Sequence, residues 1–377
     1  MAVNSNSKTI SRPQRRTSEN LKVYQFMNIL LLGYYGHKNI GDDLFVENLV
    51  KSLAKKDREI SFLCDEDYYK KDYLDNSNIN FFNSKTISKT TRLKLLLGND
   101  FIAWGGGTLN LSSKPRNLAI VQTISRIFRK KFGFLGIGLD GLSPNNLDSV
   151  GSLFNQANYL YLRDDESYHF ALEKFNVVEN ICVGGDLAFL NLELYTDFVK
   201  SSKTENIKNI SFSGKHWWGQ GRAEFYAEPL LSLIEKYDSQ IHLLPANIDE
   251  KTNDNKFHEK LKSCLPKDSC VIHSWEQVND FLRVLGNMDF HIGNRLHSII
   301  LADILGIPNI GISSNPPKIK NYIQKTAALT QERTSEFMEH ISLEQIEFVL
   351  ENYQRPDRFI AHESQSAQDC LIQIFGP

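Results

Sequence analysis

From Asn28 onward, short apolar runs that end in glycine alternate with longer amphipathic segments, and no other feature restricts the fold as tightly. Runs such as NILLLGYYG and DFIAWGGG are apolar on successive positions, as a strand covered on both faces must be. The segment NIGDDLFVENLVKSLAKK between them carries its apolar residues at helical spacing. The same reading predicts strands at REISFLC, NINFF, KFGFLGIGL and YLYL, the last delivering the helix DDESYHFALEKF, with NICVGGDLAFL closing a first lobe. Around residues 195–206 the composition turns polar, and the alternation restarts at IKNISFSG. It runs on through helix AEFYAEPLLSLIEKY, strand QIHLLPA, a helix near NDNKFHEKLKSCL, strand SCVIH, helix EQVNDFLRVLG, strand MDFHIG, helix RLHSIILADILG and strand IPNIGIS.

Strands that return through helices define an α/β protein with parallel sheets, here two Rossmann-like lobes. A chain of 377 residues agrees, because one core rarely organises that length. The expected divisions are a flexible tail over residues 1–27, an N-terminal lobe over 28–200, a C-terminal lobe over 201–341, and helices over 342–377 packing back across the lobes.

Composition excludes several classes of function. The formal net charge of −2 is spread along the chain and leaves no footprint for nucleic acid. Five scattered cysteines without CxxC spacing suit a reducing cytoplasm and no zinc site, and no other ligand cluster suggests a metal. No apolar run approaches the roughly 20 residues of a membrane span, and the start lacks a signal-peptide core. The basic tail (Lys8, Arg12, Arg15, Arg16, Lys22 against Glu19) reads first as a solvated segment and second as a contact for an anionic inner membrane face.

The chemistry-bearing residues fall where strands end, which is where such sheets bind ligands. In GYYGHKNIGDD, glycines turn the chain into a helix start; Asp42 and Asp43 suit its first turn, and Asp42 also suits a sugar hydroxyl or a proton-transfer role. Gly105, Gly106 and Gly107 can expose backbone amides as an anion nest. Arg163 follows YLYL and offers a planar fork for carboxylate or phosphate, or a structural ion pair with Asp164 or Asp165. Arg295 and His297 stand at the junction of MDFHIG and an apolar helix that Gly306 should terminate. Lys318, after the loop SSNPP, can reach the same cleft, and Trp217 and Trp218 can stack on a sugar ring.

In this order and at these separations, GYYGHKNIGDD, GGGTL, RDDES, GGDLAF and NRLHSIILADILGIPNIGIS with Lys318 resemble the polysaccharide pyruvyl transferase family, over roughly residues 28–322. His37, Lys38, Leu187 and Asn315 depart from residues frequent in that family. The resemblance implies a fold similar to GT-B glycosyltransferases, with the N-terminal lobe on the acceptor side and the C-terminal lobe on the donor side. It implies transfer of pyruvate from phosphoenolpyruvate, as donor substrate and with no cofactor, onto a saccharide that is free or lipid-linked. Arg163, Arg295 and His297 would be donor-site residues. The expected catalytic set is His297, Arg295 and Asp42; the expected substrate-binding set adds Arg163, Lys318, Gly105, Gly106, Gly107, Asn39, Trp217 and Trp218. Two alternatives stand beside this reading: a nucleotide-sugar glycosyltransferase on the same fold, and a catalytically silent carbohydrate-binding relative.

Overall fold

The computed structural model describes residues 27–54, 57–65, 78–109, 116–139, 146–175, 180–200, 207–215, 222–313 and 317–376. Residues 1–26 of the predicted N-terminal tail, Trp217, Trp218 and Asn315 lie outside these residues, and Met27, the last residue of that tail, instead begins the first strand.

The first lobe runs β1 (Met27–Leu32), α1 (Ile40–Leu53), β2 (Arg58–Cys64), β3 (Ile79–Asn83), α2 (Lys89–Gly98), β4 (Phe101–Gly105), α3 (Arg116–Ile127), β5 (Lys131–Ile137), α4 (Leu147–Asn155), β6 (Tyr159–Leu162), α5 (Asp165–Phe175) and β7 (Ile181–Val183). Among the described residues these strands form one parallel seven-stranded sheet in the order β3-β2-β1-β4-β5-β6-β7.

The second lobe runs β8 (Asn209–Ser213), α6 (Ala223–Tyr237), β9 (Gln240–Leu243), α7 (Asn255–Ser263), β10 (Cys270–Ile272), α8 (Val278–Gly286), β11 (Phe290–Gly293), α9 (Leu296–Leu305), β12 (Asn309–Ile312), α10 (Lys318–Thr326) and β13 (Thr334–Ser335). Its parallel six-stranded sheet has the order β10-β9-β8-β11-β12-β13. Helices α11 (Leu343–Asn352) and α12 (Asp357–Phe375) follow. The predicted α/β architecture with two parallel sheets is the one observed. Helix α12 begins nine residues before the SAQDCLIQIF segment that marks it in the sequence, because Asp357–Gln365 is polar on most positions.

Among the described residues three clusters make the core. One fills the outer face of the first sheet, one the outer face of the second. The largest runs between the sheets and joins Ile29 and Phe45 of the first lobe to Phe281 and Ile299 of the second and Ile374 of α12. Helix α12 returns to the first lobe, where Arg58 donates to the Phe375 carbonyl at 2.9 Å and Gln368 to the Leu190 carbonyl at 3.0 Å. The lobes are also sewn by backbone: Asn39 bridges Asn247, Ile40 N–H donates to Ala246 O at 2.9 Å, and Ile248 N–H to Lys38 O at 3.0 Å. Lys38 turns into this strip with φ 53, a left-handed conformation that a non-glycine residue adopts at a cost. His37, one of the departures from the family, lies between Asp65 of the first lobe (3.1 Å) and Asp249 of the second (3.4 Å).

Helix α9 sits inside this shared core, with Ser298 through Leu305 all buried and Gly306 ending it at φ 77, as the sequence predicts. Its one buried charge, Asp303, accepts two bonds from Arg333 Nη2 (2.6 and 2.8 Å) and one each from Tyr322 and Tyr353 (3.0 and 2.9 Å). Both ion-pair side chains are 0 % exposed. Arg333→Met should therefore leave a buried carboxylate without its countercharge and lower stability by about 3–5 kcal/mol in urea denaturation. Lys208→Ala, which breaks the exposed pair with Asp238, should change it by less than about 1 kcal/mol.

Candidate active site between the two sheets

Strand order reverses between β1 and β4 in the first sheet and between β8 and β11 in the second. A crevice opens beyond the carboxyl ends of strands at such a reversal, because the neighbouring connections leave toward opposite faces. The loops at these ends are residues 33–39, 106–108, 214–215 and 294–295, and they carry most of the motifs found in the sequence.

Arg163 leaves the end of β6 almost wholly buried. Its Nη1 donates to Asp186 Oδ2 at 3.0 Å, its Nη2 to Thr108 Oγ1 at 3.3 Å, and its Nε lies 3.5 Å from Asp164 Oδ2. Thr108 Oγ1 accepts a second bond, 2.7 Å, from Lys318 Nζ at the start of α10. One hydroxyl thus joins a cation of the first lobe to a cation of the second.

His297 belongs to the first turn of α9 but crosses to the first lobe. Its ring meets Phe45 edge-on at 5.2 Å, and Nε2 is 3.6 Å from Asp186 Oδ2. It rests directly on the backbone of Gly41, where a methyl group would fall on the imidazole. Burial alone would raise the Asp186 carboxyl, but the charges of His297 and Arg163 and the Ala188 N–H outweigh it and lower it to about 2. Asp186 is therefore an anion over the whole physiological range.

Arg295 turns the other way, into the second lobe. Its Nε donates to Asp254 Oδ2 at 3.1 Å and its Nη2 to Oδ1, a two-pronged pair on a fully buried carboxylate. Lys215, following β8, is held through its N–H to Asn294 Oδ1 at 2.7 Å. Burial first, then the charges of Arg295 and Lys318, lower its ammonium to about 8.

The remaining predicted residues divide. Asp42 lies against the glycine loop, its Oδ1 2.5 Å from where a Gly107 side chain would begin. Burial and Asp43 raise its carboxyl to about 8 against the opposing charges of Arg163 and Lys318, so at neutral pH it holds a proton. Asn39 caps α1 through Gly41 N–H at 3.2 Å, which engages the side chain expected to meet substrate. Gly106 and Gly107 have φ 75 and 74, and the Gly106 N–H donates to Leu135 O at 2.7 Å. One amide of the expected nest is thereby committed to the sheet. The missing side chains at Gly105, Gly106 and Gly107 make room for Tyr35, Phe45 and Asp42.

Sequence reasoning did not single out Thr108, Asp186, Lys215 or Asp254. Asp186 stood in the quoted GGDLAF, an acid directly after a strand and two glycines, and that position was its signal. Asp254 carries none, since it meets Arg295 only through the fold. Among the described residues no group of three or more His, Cys, Asp and Glu could hold a metal ion, and no helix is long and apolar enough to cross a membrane.

Two facing parallel sheets with a cation-lined crevice define a GT-B-like α/β protein. The UDP-GlcNAc 2-epimerase from Methanocaldococcus jannaschii superposes with a TM-score of 0.59 at 14% identity, covering 92% of this chain and 99% of that one. A glycosyltransferase from Rickettsia africae gives 0.60 at 13% identity, covering 93% and 95%. The Neisseria meningitidis UDP-GlcNAc 2-epimerase gives 0.58 at 11%, covering 92% and 99%. At these identities the likeness is one of fold. No curated protein matches the sequence significantly. The family model of polysaccharide pyruvyl transferase matches residues 39–316, and the chain belongs to that family.

Two outcomes follow from the geometry. Gly41→Ala should destabilise the protein by about 1–3 kcal/mol through overpacking against His297. In a His297→Ala background the same change should instead stabilise by about 0.5–1 kcal/mol, as alanine does in a helix, measured by a double-mutant cycle in urea. For Asp42, the folded carboxyl titrates near 8 against 3.8 for an ordinary aspartate, so the native state binds the extra proton between these values. Stability is full below that window and falls as pH rises through it. The melting temperature of Asp42→Asn should match wild type near the lower limit and exceed it above the upper one.

Proposed function

We propose that the protein transfers pyruvate from phosphoenolpyruvate to two hydroxyls of a saccharide, forming a cyclic ketal and releasing phosphate. The observation that carries this reading is the shared Thr108 hydroxyl, on which Arg163 and Lys318 converge from opposite lobes. Two cations aimed at one oxygen within a crevice suit an anionic donor whose own oxygen takes that place. Phosphoenolpyruvate carries a carboxylate and a phosphate, and Lys215 and Arg295 extend the positive wall for the second anion.

His297 supplies the proton. As imidazolium, kept in place by the Asp186 carboxylate, it protonates the methylene carbon of the donor while the first sugar hydroxyl bonds to the central carbon. That hydroxyl gives up its proton in turn, so the histidine ends as it began. The carbon–oxygen bond to phosphate then breaks, the second hydroxyl takes its place, and phosphate leaves with the remaining proton. Arg163 and Lys318 offset the charge that gathers on the departing group. Asp42, protonated at neutral pH, donates a hydrogen bond to a donor or acceptor oxygen rather than removing a proton.

The test is phosphate release from phosphoenolpyruvate with a panel of saccharides, together with detection of the ketal. His297→Asn should lower kcat by about 100-fold or more. Lys318→Met should lower kcat/KM for phosphoenolpyruvate by about 10-fold or more, through both a raised KM and a reduced kcat. Wild-type rates in both variants would sink the assignment, and tight competition by UDP or UDP-sugars would favour a nucleotide-sugar glycosyltransferase instead.

A further inference from the structure

Past Arg163, Asp186 and Lys318 the crevice continues into an open side pocket beneath α12, lined as well by Phe189, Tyr322, Phe359 and Glu363. Its character changes there. Phe359 of α12 lines it, partly exposed and held edge-on by Phe189 (5.9 Å) and Tyr322 (5.7 Å). Polar groups surround this aromatic wall: Glu363 one turn further along α12, and Lys325 of α10 paired with Glu166 of α5. Burial first, then Asp186, Asp165 and Asp164 against the opposing Lys325, push the Glu363 carboxyl up to about 7. Near neutral pH it can both accept and donate a hydrogen bond.

Around Phe359 the polar lining is Asp164, Glu166 and Glu363 with Lys325 as the cation among them, and Lys325 is already paired with Glu166, so this end offers a second phosphate no cation cluster like that at Thr108. A neutral polyol needs no such cluster. Its C–H face can cover the Phe359 ring, while carboxyls and Lys325 take its hydroxyls, which is how apolar and polar groups divide the work in a small-molecule site. Arg163, Asp186 and Lys318 form a wall common to this pocket and to the donor cluster, so a ring seated on Phe359 adjoins the donor.

We propose that the pocket beneath α12 seats one ring of the acceptor saccharide, with Phe359 as its platform and Glu363 and Glu166 as acceptors of its hydroxyls. This assignment rests on the pyruvyl-transfer reading for the identity of its neighbour, the donor. It is tested on the full chain by saturation-transfer NMR with methyl β-D-galactopyranoside and methyl β-D-glucopyranoside, and separately by calorimetric titration with phosphoenolpyruvate. Wild type should saturate at least one glycoside. Phe359→Leu, which keeps the apolar packing, and Glu363→Gln should each weaken that binding by about tenfold and leave the affinity for phosphoenolpyruvate within about twofold. Absence of transfer in wild type, or undiminished transfer in both variants, overturns the pocket assignment. Glycoside binding that is lost in the variants, with no binding of phosphoenolpyruvate to wild type, supports the pocket and removes the donor reading instead.

Discussion

Helix α9 is buried on every side from Ser298 to Leu305 and, Ser298 and Asp303 apart, is apolar there, and a helix of that kind is stable only when covered all round. Here the cover comes from both lobes, since Ile299, Ile300 and Ile304 belong to the same core cluster as Phe45 of α1 and Phe281 of α8. The helix therefore cannot sit in either lobe alone. Its carboxyl end is fixed by Gly306 and by Asp303 on Arg333, so its amino end must emerge at the crevice. A buried relay stiffens that end: Ser211 Oγ is 2.8 Å from His291 Nδ1, His291 Nε2 is 2.9 Å from Ser298 Oγ, and Ser298 donates to the Arg295 carbonyl at 2.8 Å. Burial lowers His291 to about 3, so the imidazole is neutral and one ring nitrogen donates while the other accepts.

From this stiff turn two side chains leave in opposite directions, and each meets a buried acid. Arg295 takes Asp254 within its own lobe, and His297 takes Asp186 across the crevice. A buried cation without a counterion would be costly, yet one fully neutralised would attract nothing. Arg163 and Arg295 are oriented by carboxylates, and Lys215 lies close enough to Arg295 and Lys318 for their charges to act on it.

The alternation of strands and helices was plain in the sequence because both faces of each parallel strand are covered, leaving continuous apolar runs such as NILLL and DFIAW. Helices α2, α3 and α4 were not named from the sequence. In α2 only Leu96 is buried, so its apolar residues leave little trace of a face. Strand β13 has two residues and no period to read. At the site, Arg163, His297 and Lys318 were legible because each directly follows a strand or opens a helix. Asp254 and Thr108 were not, because their roles arise from partners 41 and 55 or more positions away. Asn39 and Asp42 were placed correctly at a helix start, but cap geometry and the neighbouring Asp43 govern their chemistry, and neither can be weighed without distances.

The strip where Asn39 bridges Asn247 bears on how anything enters the crevice. Separating the lobes along that edge would break two backbone hydrogen bonds and pull His37 from one of its two carboxylates. Such an edge behaves as a spine: the lobes can flex about it more readily than they can part there. Opposite that spine the lobes meet through α12, whose main chain crosses to the first lobe, and through the side-chain contact of Lys318 with Thr108, so any opening is a hinge about the Asn39 strip.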